Sequence, residues 1–438
     1  MHTVQQLQNG ELNGAKYIKI SEGLKQFPTE LLELADTLEV LDLSGNSLSS
    51  LPKQFNKFQK LKTFFCSDNL FEVLPEVLGE CAQLDILGFK SNQITTVPAN
   101  SLNSNLRWLI LTNNAITEIP ATIGYCLRMQ KLMLAGNHLT QLPNELANCK
   151  QLGLLRISAN LLSSLPDWLL EMPKLAWLAF SGNPFHKIPE VPTLNQIDWK
   201  QLELTSVLGE GASGIISKAT FENNAHPIEV AIKVFKGAMT SDGLPQDEMN
   251  TSIAAGNHPG LVSLLGQIYN HPLHRHGLVM SLIPPSYYNL AGPPSLQSCT
   301  RDVFDKTAPL PVVHVIKIAQ TIASVAAHLH GQGIMHSDLY AHNILVNSAG
   351  DTLFGDFGAA CFYNRGNQHV ALSLERLEVR AFGYLLEDLL YICDEPGHPA
   401  HTVVADLKNA CLQEQVSERP SFEWLHQQLF KLSPAIEP

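Results

Sequence analysis

Charge is scarce in this chain. Asp, Glu, Lys and Arg together make up 16% of its 438 residues, against 45% hydrophobic, a balance that suits two or three domains with extensive buried cores. There is no run of 18 apolar residues, so no transmembrane helix is expected. The first residues, Met1 to Asn13, have neither a basic region nor a hydrophobic stretch, and no secretory signal is expected there. The eight cysteines show no zinc-ligand spacing. Cys81, Cys126 and Cys149 each fall six residues after a proline, which reads as a packing column of reduced thiols. His271, His274 and His276 read as a solvated hairpin tip rather than a metal site. Basic excess is also missing: residues 1–198 carry 15 basic and 18 acidic groups and residues 199–438 carry 14 and 23, for a net charge of −12. Nucleic acid and anionic membrane are therefore not expected partners. A soluble, cytoplasmic protein is expected.

What the first half does have is a period. Leu38-x-x-Leu41-x-Leu43-x-x-Asn46-x-Leu48-x-x-Leu51-Pro52 recurs with its asparagine at Asn69, Asn92, Asn114, Asn137, Asn160 and Asn183, in steps of 22 or 23 residues. This is a leucine-rich repeat. Each repeat offers a short strand with inward leucines, and the asparagine serves backbone groups where the chain leaves the strand. One repeat cannot bury its own face, so the repeats stack as a solenoid of parallel strands. About seven full repeats are present. Ile18-x-Ile20 with Phe27-Pro28 reads as a degenerate N-terminal cap, and Asn183 to Pro189 closes the other end.

Strand alternation selects the residues of the concave face. One column holds Val40, Thr63, Ile86, Trp108, Lys131, Leu154 and Trp177, and its neighbour holds Asp42, Phe65, Gly88, Ile110, Met133, Arg156 and Ala179. Such an apolar surface points to partner binding, with Phe65, Trp108, Ile110, Met133 and Trp177 as candidate anchors. Packing against the chain's own second half would explain the same pattern.

The second half carries motifs of phosphate chemistry. Gly209-Glu210-Gly211-Ala212-Ser213-Gly214 is followed by a strand-like run, Ile215 to Thr220, rather than by the helix a dinucleotide-binding turn requires. After a turn at Asn223-Asn224, Ile228 to Lys233 reads as a strand carrying a lysine. Farther on come His336-Ser337-Asp338-Leu339-Tyr340-Ala341-His342-Asn343 and, thirteen residues past the asparagine, Asp356-Phe357-Gly358. Asn343 and Asp356 could supply oxygen ligands to magnesium, and Asp338 could accept the proton of an incoming hydroxyl.

The stretch from about Trp199 to Phe430 resembles the eukaryotic-type protein kinases, in particular their tyrosine-kinase-like and receptor-kinase branch. The resemblance implies a two-lobed α+β fold that binds ATP and Mg2+. It implies that Gly209, Gly211 and Gly214 cover the phosphates while Lys233 reaches them, and that Glu248, or its competitor Asp247, pairs with Lys233. Asn257-His258-Pro259-Gly260-Leu261-Val262 looks like the turn after helix C. Met280 stands in the gatekeeper place, with Leu282 beyond it at the nucleotide edge. Glu378-Val379-Arg380-Ala381-Phe382-Gly383 resembles the D-x-W-S-x-G of helix F, with Glu for Asp, and Glu418-Arg419-Pro420-Ser421-Phe422 the closing E-R-P-S-F. A helix is expected from about Val312 to His330, after a Pro-, Ser- and Tyr-rich connection from Pro284 to Pro311.

Several departures stand beside these matches. Ser337 replaces the arginine that clamps a phosphorylated activation loop. Tyr340 replaces a lysine directed at the γ-phosphate, and His342 sits where tyrosine kinases often have arginine. Only 22 residues separate Asp356 from Glu378, with no A-P-E, so the activation segment is short. Arg419 is left to Glu375 for a partner. The expected architecture is a leucine-rich-repeat domain, residues 1–198, then a protein kinase domain, residues 199–438. The few residues from Glu190 to Gln201 reach at most about 40 Å as a linker. The expected activity is transfer of the γ-phosphate of ATP to Ser, Thr or Tyr hydroxyls, with the repeats recognising a protein. A catalytically weak scaffold and a kinase acting on a small molecule are the alternatives.

Overall fold

The computed structural model describes residues 1–432 apart from 212, 224, 225, 238, 241 and 305–308. Ala212 of the glycine motif and Asn224 of the expected turn lie outside the described residues. The chain divides into two compact units, residues 1–175 with 183–185, and residues 176–182 with 186 onward.

The first unit is built from the repeats. Thr3 caps a short helix, α1 (Val4–Gln8), and seven three-residue strands follow: β1 (Tyr17–Lys19), β2 (Val40–Asp42), β3 (Thr63–Phe65), β4 (Ile86–Gly88), β5 (Trp108–Ile110), β6 (Lys131–Met133) and β7 (Leu154–Arg156). Neighbours pair in parallel and in sequence order, at one repeat of offset each time. Prolines 52, 75, 98, 120 and 143 each open a short 3-10 turn on the return path, which suits a residue with fixed φ and no N–H to satisfy. A last short helix, α2 (Asp167–Leu170), starts after Pro166.

The asparagines form the expected ladder. Asn160 Oδ1 accepts from Leu139 N at 3.1 Å, while its Nδ2 donates to the carbonyls of Leu134, Ile157 and Ser158. Asn137 does the same one repeat earlier. The cysteine column works alongside it: the thiols of Cys126 and Cys149 donate to the carbonyls of Asn103 and Ile123, both at 3.3 Å. Burial pushes Cys126 up to about 12 and Cys149 to about 11, so both remain thiols at neutral pH. Toward the N-terminal end the core is aromatic. Phe27, Phe55, Phe58, Phe64, Phe89 and Phe71 form an unbroken run of ring contacts with centroids 4.9–6.4 Å apart.

The second unit begins with β8 (Trp177–Ala179), the strand of the last repeat in sequence, and β9 (Gln196–Asp198). The stretch expected to be linker is thus partly structural, since β9 pairs in parallel with β13 (Leu264–Tyr269). The boundary expected after residue 198 falls inside this unit. The other strands are β10 (Leu202–Glu210), β11 (Gly214–Phe221), β12 (Ile228–Phe235) and β14 (Gly277–Ser281), giving the sheet order β10-β11-β12-β14-β13-β9. Its core is Leu202, Ala219, Val230, Ile232, Ile268 and Val279. Helix α3 (Pro245–Ala255) crosses between β12 and β13.

The helical lobe contains α4 (Val312–Gly331), α5 (Gln368–Tyr391), α6 (Pro399–Cys411) and α7 (Phe422–Phe430), with α4 packed on α7 and α5 on α6. Short strands lie among them: β15 (Tyr288–Asn289), β16 (Ile334–Met335), β17 (Ile344–Val346), β18 (Thr352–Phe354) and β19 (Cys361–Phe362). By length and composition α4 could cross a membrane, but over half of it is buried, including Val315, Ile318, Ile322, Val325 and Leu329. That burial fits the central helix of a lobe.

Candidate active site

Strands β10 and β11 form an antiparallel hairpin, and Gly211 N donates to Gly214 O at 2.9 Å to close its tip. Lys236 steadies the tip by donating to Glu210 Oε1 at 2.7 Å and to Gly211 O at 3.0 Å. The glycines serve two ends. A Cβ at Gly214 would lie 2.7 Å from Val234 O, so only glycine fits the crossing of the strands; a Cβ at Gly209 or Gly211 would meet nothing within 4 Å, leaving bare backbone over open space.

Lys233 lies in mid-sheet, opposite Ile216 on one side and Leu278 on the other, which fixes the direction of its side chain. Its Nζ donates to Glu248 Oε1 in a close ion pair. Glu248 is in the first turn of α3 and is 3% exposed. Burial raises its carboxyl above the usual range, Lys233 opposes that rise, and Asp356 adds to it. Asp247, the other candidate, faces elsewhere: its carboxyl lies beside Ser181 and burial raises it too. Glu248 thus pairs with the lysine and Asp247 does not.

The loop that carries Asp338 follows β16. His336 is fully buried, stacked on Phe354 at 3.9 Å, and its Nε2 donates to Gly355 O at 2.9 Å. Burial keeps this ring neutral by lowering its pKa. Ser337 adopts a left-handed backbone, φ 64°, and donates its N–H to Glu378 Oε1 at 2.6 Å. The other oxygen of Glu378 meets His330 Nε2 at 2.8 Å. Burial raises this carboxyl, but the His330 bond with the nearby His336 and the Ser337 N–H hold it below the ordinary range. Glu378, where the resemblance sets an aspartate, thus ties the loop at Ser337 to α5.

Asn343 Nδ2 donates to Asp338 Oδ2 at 2.7 Å and to Asp338 O at 3.0 Å. Asn343 O in turn accepts from Gly355 N at 3.1 Å, which ties the loop to the glycine before Asp356. Asp356 also takes a left-handed backbone, φ 57°, and its Oδ1 accepts from Gly358 N at 3.1 Å. A cleft of about 750 Å³ is walled by Gly209, Gly211, Gly214, Lys233, Glu248, Met280, Leu282 and Asp356. That volume suits a nucleotide. Asp338 and Asn343 lie off this wall, on the loop joined to it through Gly355.

The residues fit a bound cation and phosphates. Asp356 adds to the negative field at Glu248, whose Oε2 is buried beside it. Because Asn343 donates through Nδ2, its Oδ1 is the oxygen turned to other use, and with the Asp356 carboxylate it gives the hard-oxygen donor set that Mg2+ prefers.

Three features were not legible in the motifs. Asp302, in the Pro- and Ser-rich connection, accepts from His342 N at 3.1 Å and from its Nδ1 at 2.7 Å. Burial lowers His342, but Asp302, Asp338 and Asp356 together hold its pKa above the ordinary value. Glu375 does not serve Arg419: it accepts from Tyr363 Oη at 2.6 Å, while Arg419 donates to the carbonyls of Gln413 and Arg376. His271 is not a solvated tip residue, since it is 9% exposed with its ring edge-on to Trp199 at 4.4 Å.

The candidate anchors of the repeats need correction as well. Trp177 is 2% exposed and stacks on Tyr340 and Tyr384 of its own unit, so it cannot be an open anchor. Met133 is 7% exposed, in register between Ile110 and Arg156, whose side chains flank it. Phe65, Trp108 and Ile110 are half-buried. Phe65 and Ile110 close over Gly88, where a Cβ would come within 2.6 and 3.7 Å of them, and Lys131 lies over the Trp108 ring at 4.3 Å.

A family model described as protein tyrosine and serine/threonine kinase matches residues 202–380, and a leucine-rich-repeat model matches residues 37–58. A probable serine/threonine-protein kinase of Dictyostelium discoideum is 28% identical over 165 residues, 37% of this chain and 9% of that relative. The probable serine/threonine-protein kinase gdt4 of the same organism is 28% identical over 154 residues, 35% of this chain and 8% of the relative. Leucine-rich repeat and calponin homology domain-containing protein 1 of Mus musculus is 31% identical over 112 residues, 25% of this chain and 16% of the relative. The matched stretches thus span less than a tenth of the two kinase relatives' own length. Residues 202–380 form a protein kinase domain. The chain joins that domain to leucine-rich repeats.

Proposed function

We propose that the chain is an ATP- and Mg2+-dependent protein kinase that phosphorylates serine or threonine hydroxyls in the cytoplasm, with its repeats recruiting a protein partner. The observation that carries this reading is the joint presence of the Lys233–Glu248 pair and the Asp338–Asn343–Gly355 linkage, since a pure scaffold requires neither. The kinase relatives' names support serine/threonine as the acceptor type.

In this reading Lys233, held straight by Glu248, binds the α- and β-phosphates. Asn343 and Asp356 would hold Mg2+, which when bound neutralises charge on the phosphates. Asp338, fixed by the Asn343 amide, orients the acceptor hydroxyl and takes its proton. The hairpin tip at Gly211 excludes water from above the phosphates with backbone alone.

The purified chain incubated with radiolabelled ATP and a generic acceptor protein tests this. Label on serine and threonine, dependent on Mg2+ and lost in Asp338→Asn, is the expected result. No transfer with Mg2+ or Mn2+ to any acceptor, including the chain itself, overturns it.

A further inference from the structure

The segment from Ala176 to Gly182 belongs to the kinase unit by its contacts. It touches three parts of the catalytic apparatus. Trp177 Nε1 donates to Leu339 O at 3.0 Å, and Leu339 directly follows Asp338. The indole is also stacked on Tyr340, with centroids 4.3 Å apart and planes at 6°, and on Tyr384 of α5 at 5.4 Å and 16°. Three residues on, Phe180 N donates to Cys361 Sγ at 3.1 Å, in the strand that follows Asp356-Phe357-Gly358. Ser181 lies beside Asp247, the neighbour of Glu248 on α3.

We propose that Trp177 is a positioning residue for Asp338, and that the segment carrying it does the work of a longer activation segment. The proposal rests on the kinase reading for its catalytic consequence. The chain leaves β19 and enters α5 within six residues, so the stretch after Gly358 is too short to fold back over the catalytic loop. Asp338 has its side chain fixed by Asn343, and Ser337 before it has its N–H fixed by Glu378. The Leu339 carbonyl, on the far side, is held by the Trp177 indole. Removing that bond frees the peptide between Leu339 and Tyr340 and lets the carboxylate drift from the orientation that transfer requires. Nucleotide binding depends on Lys233, Glu248 and Asp356, which the indole does not touch, so the two steps separate.

The test compares the wild-type chain with Trp177→Phe and Trp177→Ala, and with Tyr125→Ala, an exposed residue of the repeats, as a control. The measurements are kcat, KM for ATP, fluorescent-nucleotide affinity, and hydrogen exchange of the peptide spanning residues 336–343. Phenylalanine keeps a ring against Tyr340 and loses the N–H donor together with part of the indole's area, far less than alanine does. Trp177→Phe is expected to lower kcat about ten-fold with ATP affinity within two-fold of wild type. Exchange at Leu339–Ala341 should accelerate, while Tyr125→Ala changes neither. A kcat within two-fold of wild type in Trp177→Phe overturns the proposal, as does a parallel loss of ATP affinity. Should wild type itself transfer no phosphate, the kinase reading fails separately. Exchange then decides alone: unchanged protection at Leu339–Ala341 in Trp177→Phe overturns the positioning role.

Discussion

The Asn343 amide donates to the Asp338 carboxylate at 2.7 Å and to the Asp338 carbonyl at 3.0 Å, so one side chain fixes both ends of the residue expected to take the acceptor proton. Asp338→Asn removes the base and puts an amide against an amide. It should lower kcat by about 10²–10⁴, the usual range for general-base removal, with ATP affinity within two-fold of wild type. Lys233→Met should instead weaken both, and nucleotide titration of the two variants separates them.

His186 gives a prediction about acid. Its Nε2 accepts from Phe362 N at 3.2 Å, and burial lowers its pKa to about 4. Unfolded, the ring takes its proton near 6.5. Between those values the unfolded chain binds a proton that the folded chain refuses, so stability is full above pH 6.5 and falls as pH drops toward 4. The loss at this site can reach about 3 kcal/mol at 1.36 kcal/mol per pH unit. Urea unfolding at pH 7 and pH 4.5 should show a smaller acid penalty in His186→Gln than in wild type.

Activation should not need loop phosphorylation. Ser337 provides no cation to clamp a phosphate, and residues 358–367 contain no serine or threonine. The one hydroxyl there, Tyr363, is bonded to Glu375, and burial raises its pKa. Phosphatase-treated chain should keep most of its initial rate. A ten-fold loss restored by preincubation with ATP would contradict this.

The two concave-face tryptophans should part company on truncation. Trp177→Ala should cost about 3–5 kcal/mol, the usual price of deleting a buried indole. Trp108→Ala, with a half-buried ring beneath Lys131, should cost about 1 kcal/mol. Thermal melts of the single variants read the difference.

Asn160→Ala should destabilise the repeats by about 3 kcal/mol or more, because it orphans the Leu139 N–H and weakens three carbonyl contacts in the interior. Asn113→Ala, one position before the ladder and exposed, is the control.

The repeats and the catalytic motifs were legible because each is a local pattern. A 23-residue period fixes which leucines and asparagines recur, and a lysine on a strand after a glycine hairpin is defined within 25 residues. Glu248 could be approached the same way, but choosing it over Asp247 took the geometry of α3. The fate of Trp177 was not legible, since alternation selects the concave face without saying what covers it. Its partner, Leu339, lies 162 residues away. Asp302 was hidden for a related reason: a loop rich in proline and serine has no period, and nothing in its spelling points to His342.

The phenylalanine run of the first unit has a consequence for how the chain acquires its structure. Edge-on and tilted rings from Phe27 to Phe89 link four successive repeats, and such pairs contribute about 0.5–1.5 kcal/mol each beyond the area they bury. In a stacked array, folding can begin wherever neighbouring repeats hold one another best and then spread. The ring contacts from Phe27 to Phe89 offer one such starting point, and a chain leaving the ribosome presents it before the later repeats.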